Sequence, residues 1–370
     1  MRANYICSKC RKKSQISKNA CYKCECGGAF ELEKTIKRLP IENLKDRIGS
    51  IWRYREVIPV ENDNNIVSLG EGMTPLIQEN ISGKKVLLKL DYLCSTCSYK
   101  DRGASVLVSK MKELGVRTAI EDSSGNAGAA IAAYCAKAGI SCGIFCPQDS
   151  SKEKLVQISS YGAKVTKIPG SREKTAIAVQ KRLKECFYAS HNWNPYFLEG
   201  IKTVFYEVCE QLHWETPDSI IMPVGYGSII LGTAIGIREL KNMGVINKIP
   251  RLIAVQSGAC SPIYKAFVEG KNEVAPLYNC KHTYAEGIAC ANPVRGEQIL
   301  KIVRETDGEI VTVSEKEIIE GVKVLLRKGI YVEPTSAVII GGLAKSSKVK
   351  KEEINVAILT GSGLKSTVHY

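Results

Sequence analysis

The chain has 370 residues, of which 44% are hydrophobic and 24% charged, and its formal net charge is +14. This size and composition argue against a disordered chain and predict about two domains with smaller additions. No stretch reaches the roughly 18 uninterrupted apolar residues of a membrane span, and the first residues lack the apolar centre of a secretory signal. We therefore expect a cytoplasmic protein without a membrane partner.

The cysteines and the basic charge both have an ordinary explanation. Ten of the 15 cysteines are scattered through globular sequence, as expected of small buried hydrophobic residues in a reducing compartment. The lysines and arginines are spread along the chain instead of forming one basic block. The charge therefore favours anionic small molecules as partners before polyanions.

Five cysteines lie within the first 26 residues, in the runs CSKC and CYKCECGG. Two thiolate pairs on tight turns suit a tetrahedral structural zinc ion, and a segment this small cannot fold on apolar burial alone. We predict that Cys7, Cys10, Cys24 and Cys26 are the ligands, because glycines after the last cysteine let the backbone turn its amides toward sulfur. Cys21 competes for one position, and free thiols in a loose tail are the alternative.

Strand and helix patterns alternate from residue 51 onward. In the first series, strands at 85–90, 117–122, 142–147, 163–169 and 186–190 alternate with helices at 102–115, 126–139, 154–162 and 173–185. In the second series, strands at 218–225, 251–256, 309–315 and 355–361 alternate with helices at 229–244 and 316–329. Such alternation predicts an α/β fold with two open, mostly parallel sheets covered by helices.

We predict three parts in the chain. Residues 1–35 form a small zinc-ribbon-like head, residues 36–95 and 200–370 a large α/β domain, and residues 96–199 a small α/β domain. Ligands of open α/β sheets bind beyond the carboxyl ends of the strands. The loops at these ends are therefore the candidate functional segments.

The first candidate loop contains Lys100, between Tyr99 and an Asp-Arg-Gly turn that begins a helix. Desolvation at such a junction favours the neutral amine, which can attack a carbonyl carbon. A solvated surface lysine is the ordinary alternative. The remaining loops are needed to decide between the two.

Three further loops suit anions or polar ligand atoms. Residues 123–128, SSGNAG, present small residues at a helix N-terminus and suit a carboxylate, although a simple capped helix has the same pattern. Residues 225–228, GYGS, lack the dinucleotide spacing of glycines and better suit a single phosphate. Thr360, at the end of the last strand, offers a neutral hydroxyl or belongs to a plain turn.

Taken in order, these motifs resemble the pyridoxal-phosphate enzymes of fold type II and, within them, the threonine synthase-like family. The motifs are CECGG, IWRYREVIPV, SLGEGMTPLI, SYKDRG, SSGNAG, NPYFLEGIKT, PVGYGSIILG, YVEPTSA and LTGSGLK. They extend over nearly the whole chain. The resemblance implies pyridoxal 5'-phosphate as cofactor, an amino acid as substrate and a homodimer.

The resemblance also implies roles for single residues. Lys100 would be joined covalently to the cofactor and would move a substrate proton, and Asn126 would hydrogen-bond the cofactor's 3-hydroxyl. The substrate carboxylate would be received by Ser124, Gly125 and Ala127. The cofactor phosphate would be bound by the amides of Gly225, Tyr226, Gly227 and Ser228. Thr360 would face the pyridine nitrogen, and this neutral partner favours elimination and replacement over transamination.

Two stretches depart from the family pattern. Threonine synthases typically have Asn-Pro-Thr-Gly-Ser-Phe before the lysine, whereas residues 94–99 read CSTCSY. Many also carry an arginine two residues after an Asn-Pro pair to bind the substrate phosphate, and Phe197 stands at that position here. A phenyl ring cannot replace a bidentate anion donor. We therefore expect a threonine synthase-like lyase or synthase acting at the β or γ carbon, with O-phosphohomoserine in doubt as its substrate.

Two alternatives remain open. Within the same cofactor class, the chain could be a β-eliminating or β-replacing enzyme such as a diaminopropionate ammonia-lyase, a threonine dehydratase or a cysteate synthase. The alternative from another class is a basic zinc-ribbon protein that binds nucleic acid. The head has few aromatic residues that could stack on bases, and its basic residues form only one short run at 9–13, so we expect no nucleic-acid partner.

Overall fold

A computed structural model describes residues 3–150, 152–170, 172–183 and 185–366. The strands are β1 (Ala3–Cys7), β2 (Lys13–Ser14), β3 (Phe30–Lys34), β4 (Leu76–Ile81), β5 (Lys84–Lys89), β6 (Thr118–Glu121), β7 (Ser141–Pro147), β8 (Lys164–Ile168), β9 (Phe187–Tyr188), β10 (Ser219–Pro223), β11 (Arg251–Ser257), β12 (Glu309–Val313) and β13 (Asn355–Ile358). The α-helices are α1 (Lys100–Glu113), α2 (Asn126–Ala138), α3 (Lys152–Ser160), α4 (Arg172–Gln180), α5 (Pro195–Ile201), α6 (Thr203–Gln211), α7 (Ser228–Asn242), α8 (Pro262–Val268), α9 (Gly296–Glu305), α10 (Glu315–Leu326) and α11 (Pro334–Lys345).

The chain divides into two compact units. The first unit comprises Met1–Glu71 and Lys100–Ile201, and the second comprises Gly72–Tyr99 and Lys202–Tyr370. The three-part division made from the sequence stays a prediction. It differs from these units over residues 36–71, which it joined to the large domain and which belong to the first unit. It also differs at residues 96–99, which belong to the second unit, and at residues 200–201, which belong to the first.

The first unit contains two sheets. Its four-stranded sheet has the order β8-β7-β6-β9, and every pairing in it is parallel. The second is the three-stranded antiparallel sheet β2-β1-β3. Helix α1 packs against α2 and α5 and is buried over most of its length. These contacts hold Lys100, the first residue of α1, at a fixed place in the unit.

Two glycines allow α1 and α5 to approach closely. A Cβ atom on Gly103 would lie 2.5 Å from the Phe197 ring, and one on Gly200 would overlap the carbonyl oxygen of Arg102. A methyl group at either position would therefore force the two helices apart. Because Lys100 begins α1, this packing fixes the helix that carries it.

The second unit is built on one six-stranded sheet with the order β12-β11-β10-β13-β5-β4. Its strands are parallel except for β4, which pairs antiparallel with β5 at the edge. Helix α11 is buried on nearly every side and packs against β10, β11 and β12. The predicted α/β class with two open, mostly parallel sheets is confirmed.

Two of the scattered cysteines depart from the expected pattern of isolated thiols. Cys260 and Cys280 form a disulfide in the second unit, with their Cα atoms 4.8 Å apart. The other thirteen cysteines are free thiols. Among the described residues, no helix is both long and apolar enough to cross a lipid bilayer.

We predict that Gly200→Ala lowers the free energy of unfolding by about 2–3 kcal/mol, because the new methyl group overlaps backbone of α1 that cannot move without repacking. Urea unfolding followed by circular dichroism would measure this change. Gly258→Ala is the matched control: its Cβ would lie 3.4 Å from the nearest atom, an ordinary contact, so we expect a change within about 0.5 kcal/mol. Equal effects of the two substitutions would contradict the close helix packing.

Candidate functional site

Tyr99, the residue before Lys100, connects two of the predicted loops within the second unit. Its amide donates a hydrogen bond to the carbonyl oxygen of Thr360, over 3.0 Å. Its hydroxyl lies 2.8 Å from the Oγ atom of Ser228, and both side chains are buried. Because consecutive Cα atoms are only about 3.8 Å apart, these two bonds also limit where Lys100 can begin its helix.

The backbone on either side of Tyr99 is held by a short antiparallel contact. Ser98 pairs with Gly361, and the amide of Ser362 donates to the carbonyl oxygen of Cys97 over 3.1 Å. Cys97 itself has a φ of 62°, in the left-handed region that a residue with a side chain rarely adopts. The surrounding hydrogen bonds therefore hold this turn in a conformation with a local free-energy cost.

Thr360 is fixed by Ser336, the third residue of α11. The Ser336 hydroxyl accepts hydrogen bonds from the amides of Thr360 and Gly361, at 2.9 and 2.8 Å, and lies 3.1 Å from the Thr360 hydroxyl. Both serine and threonine side chains are buried. The predicted polar hydroxyl at the end of the last strand therefore has a defined position and is neutral.

Residues 225–228 form a tight turn at the N-terminus of α7. A Cβ atom on Gly225 would lie 2.8 Å from the Cα atom of Ile288, and Gly227 has a φ of 88° and no room for a side chain beside Ile299. The first amides of a helix have no partner within that helix. This glycine turn therefore brings main-chain donors to a place where a phosphate can bind.

In the first unit, Lys100 lies beside the aromatic ring of Phe197. Its Nζ atom is 5.8 Å from the centre of this ring, and Phe197 is fully buried. The same ring also lies near His191, whose ring centre is 5.9 Å away. Nδ1 of His191 lies 2.5 Å from a carboxylate oxygen of Glu121 at the end of β6. A buried histidine and carboxylate thus flank the phenyl ring near the lysine.

The loop at residues 123–128 also has a close-packed backbone. The hydroxyl of Ser123 accepts a hydrogen bond from the amide of Gly125 over 3.3 Å, and a Cβ atom on Gly128 would overlap the carbonyl oxygen of Ser123. Gly125 is the N-cap of α2, without a side chain to cap it, and Asn126 is the first helical residue. Ser124, Gly125 and Ala127 therefore surround a helix N-terminus that can receive a carboxylate.

Acidic groups stand directly before this loop. Burial, followed by the negative charges of Asp122 and Glu121, raises the pKa of Tyr188 well above its ordinary value. Tyr188 therefore stays a neutral hydroxyl. The helix N-terminus attracts an anion at this loop, whereas these carboxylates repel it. Binding of an anion here therefore depends on hydrogen bonds from the backbone amides.

The four cysteines selected from the sequence come together in the first unit. The sulfur atoms of Cys7, Cys10, Cys24 and Cys26 all lie within 4.8 Å of one another. The Cys7–Cys26 and Cys10–Cys24 sulfur pairs are 3.4 and 3.6 Å apart. Four sulfurs bound tetrahedrally to zinc at about 2.3 Å would lie about 3.8 Å apart. The cluster thus has nearly the dimensions of a four-thiolate zinc site.

The glycines after the last of these cysteines lie close to the cluster. Gly27 has a φ of 81°, and a Cβ atom on Gly28 would lie 2.6 Å from the sulfur of Cys7. The amide of Cys24 donates to the carbonyl oxygen of Gly28 over 2.9 Å. Only glycine leaves room for sulfur at position 28. Cys21 is exposed and outside this group of four among the described residues.

Residues 67–361 match the family model described as pyridoxal-phosphate dependent enzyme. The chain belongs to this family. It is 36% identical to the threonine synthase of Methanocaldococcus jannaschii, over 97% of this chain and 92% of that protein. It is also 36% identical to the threonine synthase of Methanosarcina acetivorans, over 93% of this chain and 88% of that protein.

A solved structure agrees with this family membership. The crystal structure of serine racemase from Dictyostelium discoideum matches with a TM-score of 0.67 and 27% identity, covering 80% of this chain and 93% of that one. The chain is therefore a fold type II, threonine synthase-like member of the pyridoxal-phosphate dependent enzymes, and a lyase. The resemblance seen in the sequence motifs is confirmed.

Each unit, taken by itself, has residues with chemistry that pyridoxal phosphate needs. In the second unit the glycine turn at 225–228 can hold a phosphate and the Thr360 hydroxyl can meet a ring nitrogen. Also in the second unit, the Oγ atom of Ser98 is fully buried and without a hydrogen-bond partner among the described residues, as expected of a polar atom that meets a ligand group. In the first unit Lys100 supplies an amine. The residue types present thus fit the cofactor.

Several residues of this pyridoxal-phosphate dependent enzyme were missed in the sequence. Ser336 lies on a helix with no polar pattern, and the four histidines, His191 among them, have no metal spacing. Glu121 lies at the end of a strand and belongs to none of the motifs. Neither the Ser336 contacts nor the His191–Glu121 pair has a local signal, because each joins segments at least 24 residues apart. The one local signal is at Tyr99, which carries a hydroxyl where threonine synthases typically have phenylalanine.

We predict that Ser336→Ala lowers the free energy of unfolding by about 2–4 kcal/mol, because the buried amides of Thr360 and Gly361 lose their shared acceptor. Urea unfolding would measure the loss, and faster hydrogen exchange at those two amides would locate it. Ser160→Ala is the control, since that serine is on an exposed helix end and bonds only a carbonyl oxygen of its own helix, over 2.9 Å. A loss no larger than in the control would contradict the role given to Ser336.

Proposed function

We propose that the protein is a lyase or synthase that uses pyridoxal phosphate to act at the β or γ carbon of an amino acid, with the conversion of O-phosphohomoserine to threonine as the leading reaction. The observation that supports it most directly is the pair of hydrogen bonds made by Tyr99. They join the residue before Lys100 to the strand end at Thr360 and to the glycine turn at Ser228.

In this proposal each predicted residue has one role toward the cofactor. Lys100 would be joined to it covalently, Asn126 would donate to its 3-hydroxyl, and Thr360 would meet its ring nitrogen. Its phosphate would be bound by the amides of Gly225, Tyr226, Gly227 and Ser228. When bound, pyridoxal phosphate withdraws electrons from the substrate α carbon, which makes the neighbouring bonds easier to break.

The chain's own residues then select the reaction. The amine of Lys100 would take the proton from the substrate α carbon and return it later. Ser124, Gly125 and Ala127 hold the substrate carboxylate and so fix which bond of the α carbon faces the lysine. A neutral hydroxyl at Thr360 does not require a protonated ring nitrogen, which favours elimination and replacement over transamination.

Phe197 supports a second candidate within the same class. Its buried ring, 5.8 Å from the Lys100 amine, stands where many threonine synthases have an arginine for the substrate phosphate. An apolar ring offers no hydrogen bond to a phosphate. This observation favours a β-eliminating or β-replacing enzyme whose substrate is not phosphorylated, such as threonine or diaminopropionate.

A substrate panel distinguishes these reactions. The purified enzyme is incubated with O-phosphohomoserine, O-phosphoserine, threonine and 2,3-diaminopropionate, and phosphate, threonine, 2-oxo acid and ammonia are measured. Threonine and phosphate formed together from O-phosphohomoserine support the leading reaction. Ammonia and a 2-oxo acid from threonine or diaminopropionate, without phosphate from O-phosphohomoserine, support the second candidate.

Lys100→Ala tests the role of the lysine itself. We expect turnover to fall about 1,000-fold or more, because the group that moves the α-proton is lost. In the unaltered enzyme, borohydride should fix the cofactor on the peptide containing Lys100, as read by mass spectrometry. Lys112→Ala removes an exposed lysine of the same helix and should leave turnover unchanged. A cofactor adduct on another side chain, or none, would overturn the proposed function.

We propose that the four clustered cysteines bind one structural zinc ion. Their spacing nearly matches that of a tetrahedral site, and four thiolates leave no position open for a substrate. The ion would stabilise a segment that has a small apolar core of its own, and its role would be structural.

Metal analysis of two matched variants tests this proposal. We expect about one zinc ion per chain in the unaltered protein and in Cys21→Ser, because Cys21 lies outside the cluster. Cys24→Ser removes one of the four ligands and should lose most of the zinc, with a lower melting temperature. Retention of full zinc by Cys24→Ser together with its loss from Cys21→Ser would show that the ligands were assigned wrongly.

We also propose a homodimer in the cytoplasm that has no nucleic-acid or membrane partner. The dimer is supported by the resemblance to fold type II enzymes. Nine cysteines lie outside both the proposed zinc site and the disulfide, and these free thiols favour a reducing compartment. Against nucleic-acid binding, the basic residues of the head are partly neutralised: Arg11, Lys12 and Lys13 each pair with a glutamate of the same unit.

A further inference from the structure

The hydroxyl group of Tyr99 has no role toward the cofactor in the assignments above. It is the only atom by which this residue differs from the phenylalanine typical of threonine synthases. In the structure this hydroxyl lies 2.8 Å from the Oγ atom of Ser228, and Tyr99 and Ser228 are both more than nine-tenths buried. A phenol oxygen buried at this depth needs a hydrogen-bond partner, and Ser228 supplies it.

Ser228 is the first residue of α7 and the last of the glycine turn. A serine hydroxyl has a single proton to donate but can accept two hydrogen bonds. If Tyr99 donates its proton to Ser228, the serine proton is not used in this pair and can be directed toward an anion at the helix N-terminus. Hydrogen bonds in such a chain also strengthen one another.

The position of Tyr99 is fixed from its other side. Its amide donates to Thr360 over 3.0 Å, and the neighbouring Ser98 pairs with Gly361. The backbone of Tyr99 therefore cannot follow small movements of the glycine turn independently of the last strand. The hydroxyl consequently holds Ser228 against a fixed part of the second unit.

We propose that Tyr99 is a positioning residue for phosphate: its hydroxyl orients Ser228 as a donor to the phosphate group of the cofactor. The inference rests on the proposed function and deepens it. It adds a side-chain donor to the main-chain amides of the turn, and it makes the tyrosine in front of the lysine part of the phosphate site.

Binding of two cofactor forms tests this role. Tyr99→Phe should weaken the binding of pyridoxal 5'-phosphate to the apoenzyme by about 5- to 20-fold, because a hydrogen bond to a charged group is lost or misdirected. The affinity of Tyr99→Phe for pyridoxal, which has no phosphate, should stay within about 2-fold of that of the unaltered enzyme. Equilibrium dialysis with absorbance detection measures both affinities. If the role of Tyr99 were merely structural, Tyr99→Phe would weaken the binding of both compounds by the same factor.

The serine supplies a second and independent arm. Ser228→Ala should show the same loss of affinity for pyridoxal 5'-phosphate, and its affinity for pyridoxal should likewise be unchanged. Because Tyr99 acts through Ser228, adding Tyr99→Phe to Ser228→Ala should cause little further loss. If Tyr99→Phe does not fold, the Ser228→Ala comparison alone decides, and equal losses of both compounds or no loss would overturn the proposal.

Tyr206→Phe is the matched control. Tyr206 is a buried tyrosine of the same unit, and its hydroxyl donates to Glu239 over 2.6 Å, so the same atom is removed from a similar environment. It should keep the affinity for both compounds. Unchanged binding by Tyr99→Phe in an enzyme that otherwise binds pyridoxal 5'-phosphate overturns this inference alone. Failure of the unaltered protein to bind the cofactor overturns the proposed function with it.

Discussion

The contacts of Tyr99 depend on the parallel pairing of β10 and β13. In this pairing Ser219 lies opposite Asn355, so both strands end at the same edge of the sheet. The glycine turn follows one strand and Thr360 follows the other. Tyr99 bonds to both, through its hydroxyl and its amide. Parallel register thus brings together segments that are more than 100 residues apart in the chain.

Close backbone packing makes this arrangement rigid. Ser336 binds two successive amides of the last strand end, and Gly225 approaches the backbone at Ile288 too closely for any side chain. Catalytic groups must be held to within a fraction of an ångström to be effective. The strained backbone at Cys97 indicates that the turn before the lysine is held by its surroundings instead of by its own preference.

In the first unit a buried phenyl ring lies close to the lysine. The Phe197 ring fills the space beside Gly103, and His191 paired with Glu121 lies on the same ring. Family membership accounts for the cofactor chemistry. The choice of substrate is the part of our proposal that depends on these side chains.

The sequence by itself determined the α/β class, the cysteine cluster and the four loops, because strand periodicity, metal-ligand spacing and glycine turns are local signals. It left α5, α6, α8, α9 and α11 unassigned. For α5 and α11 the reason is that helices buried on nearly every side have no amphipathic period. Only the tertiary structure paired Tyr99 with Ser228, Ser336 with Thr360 and His191 with Glu121. These contacts join distant segments, and their partners are set by sheet order and helix packing, which no local pattern specifies.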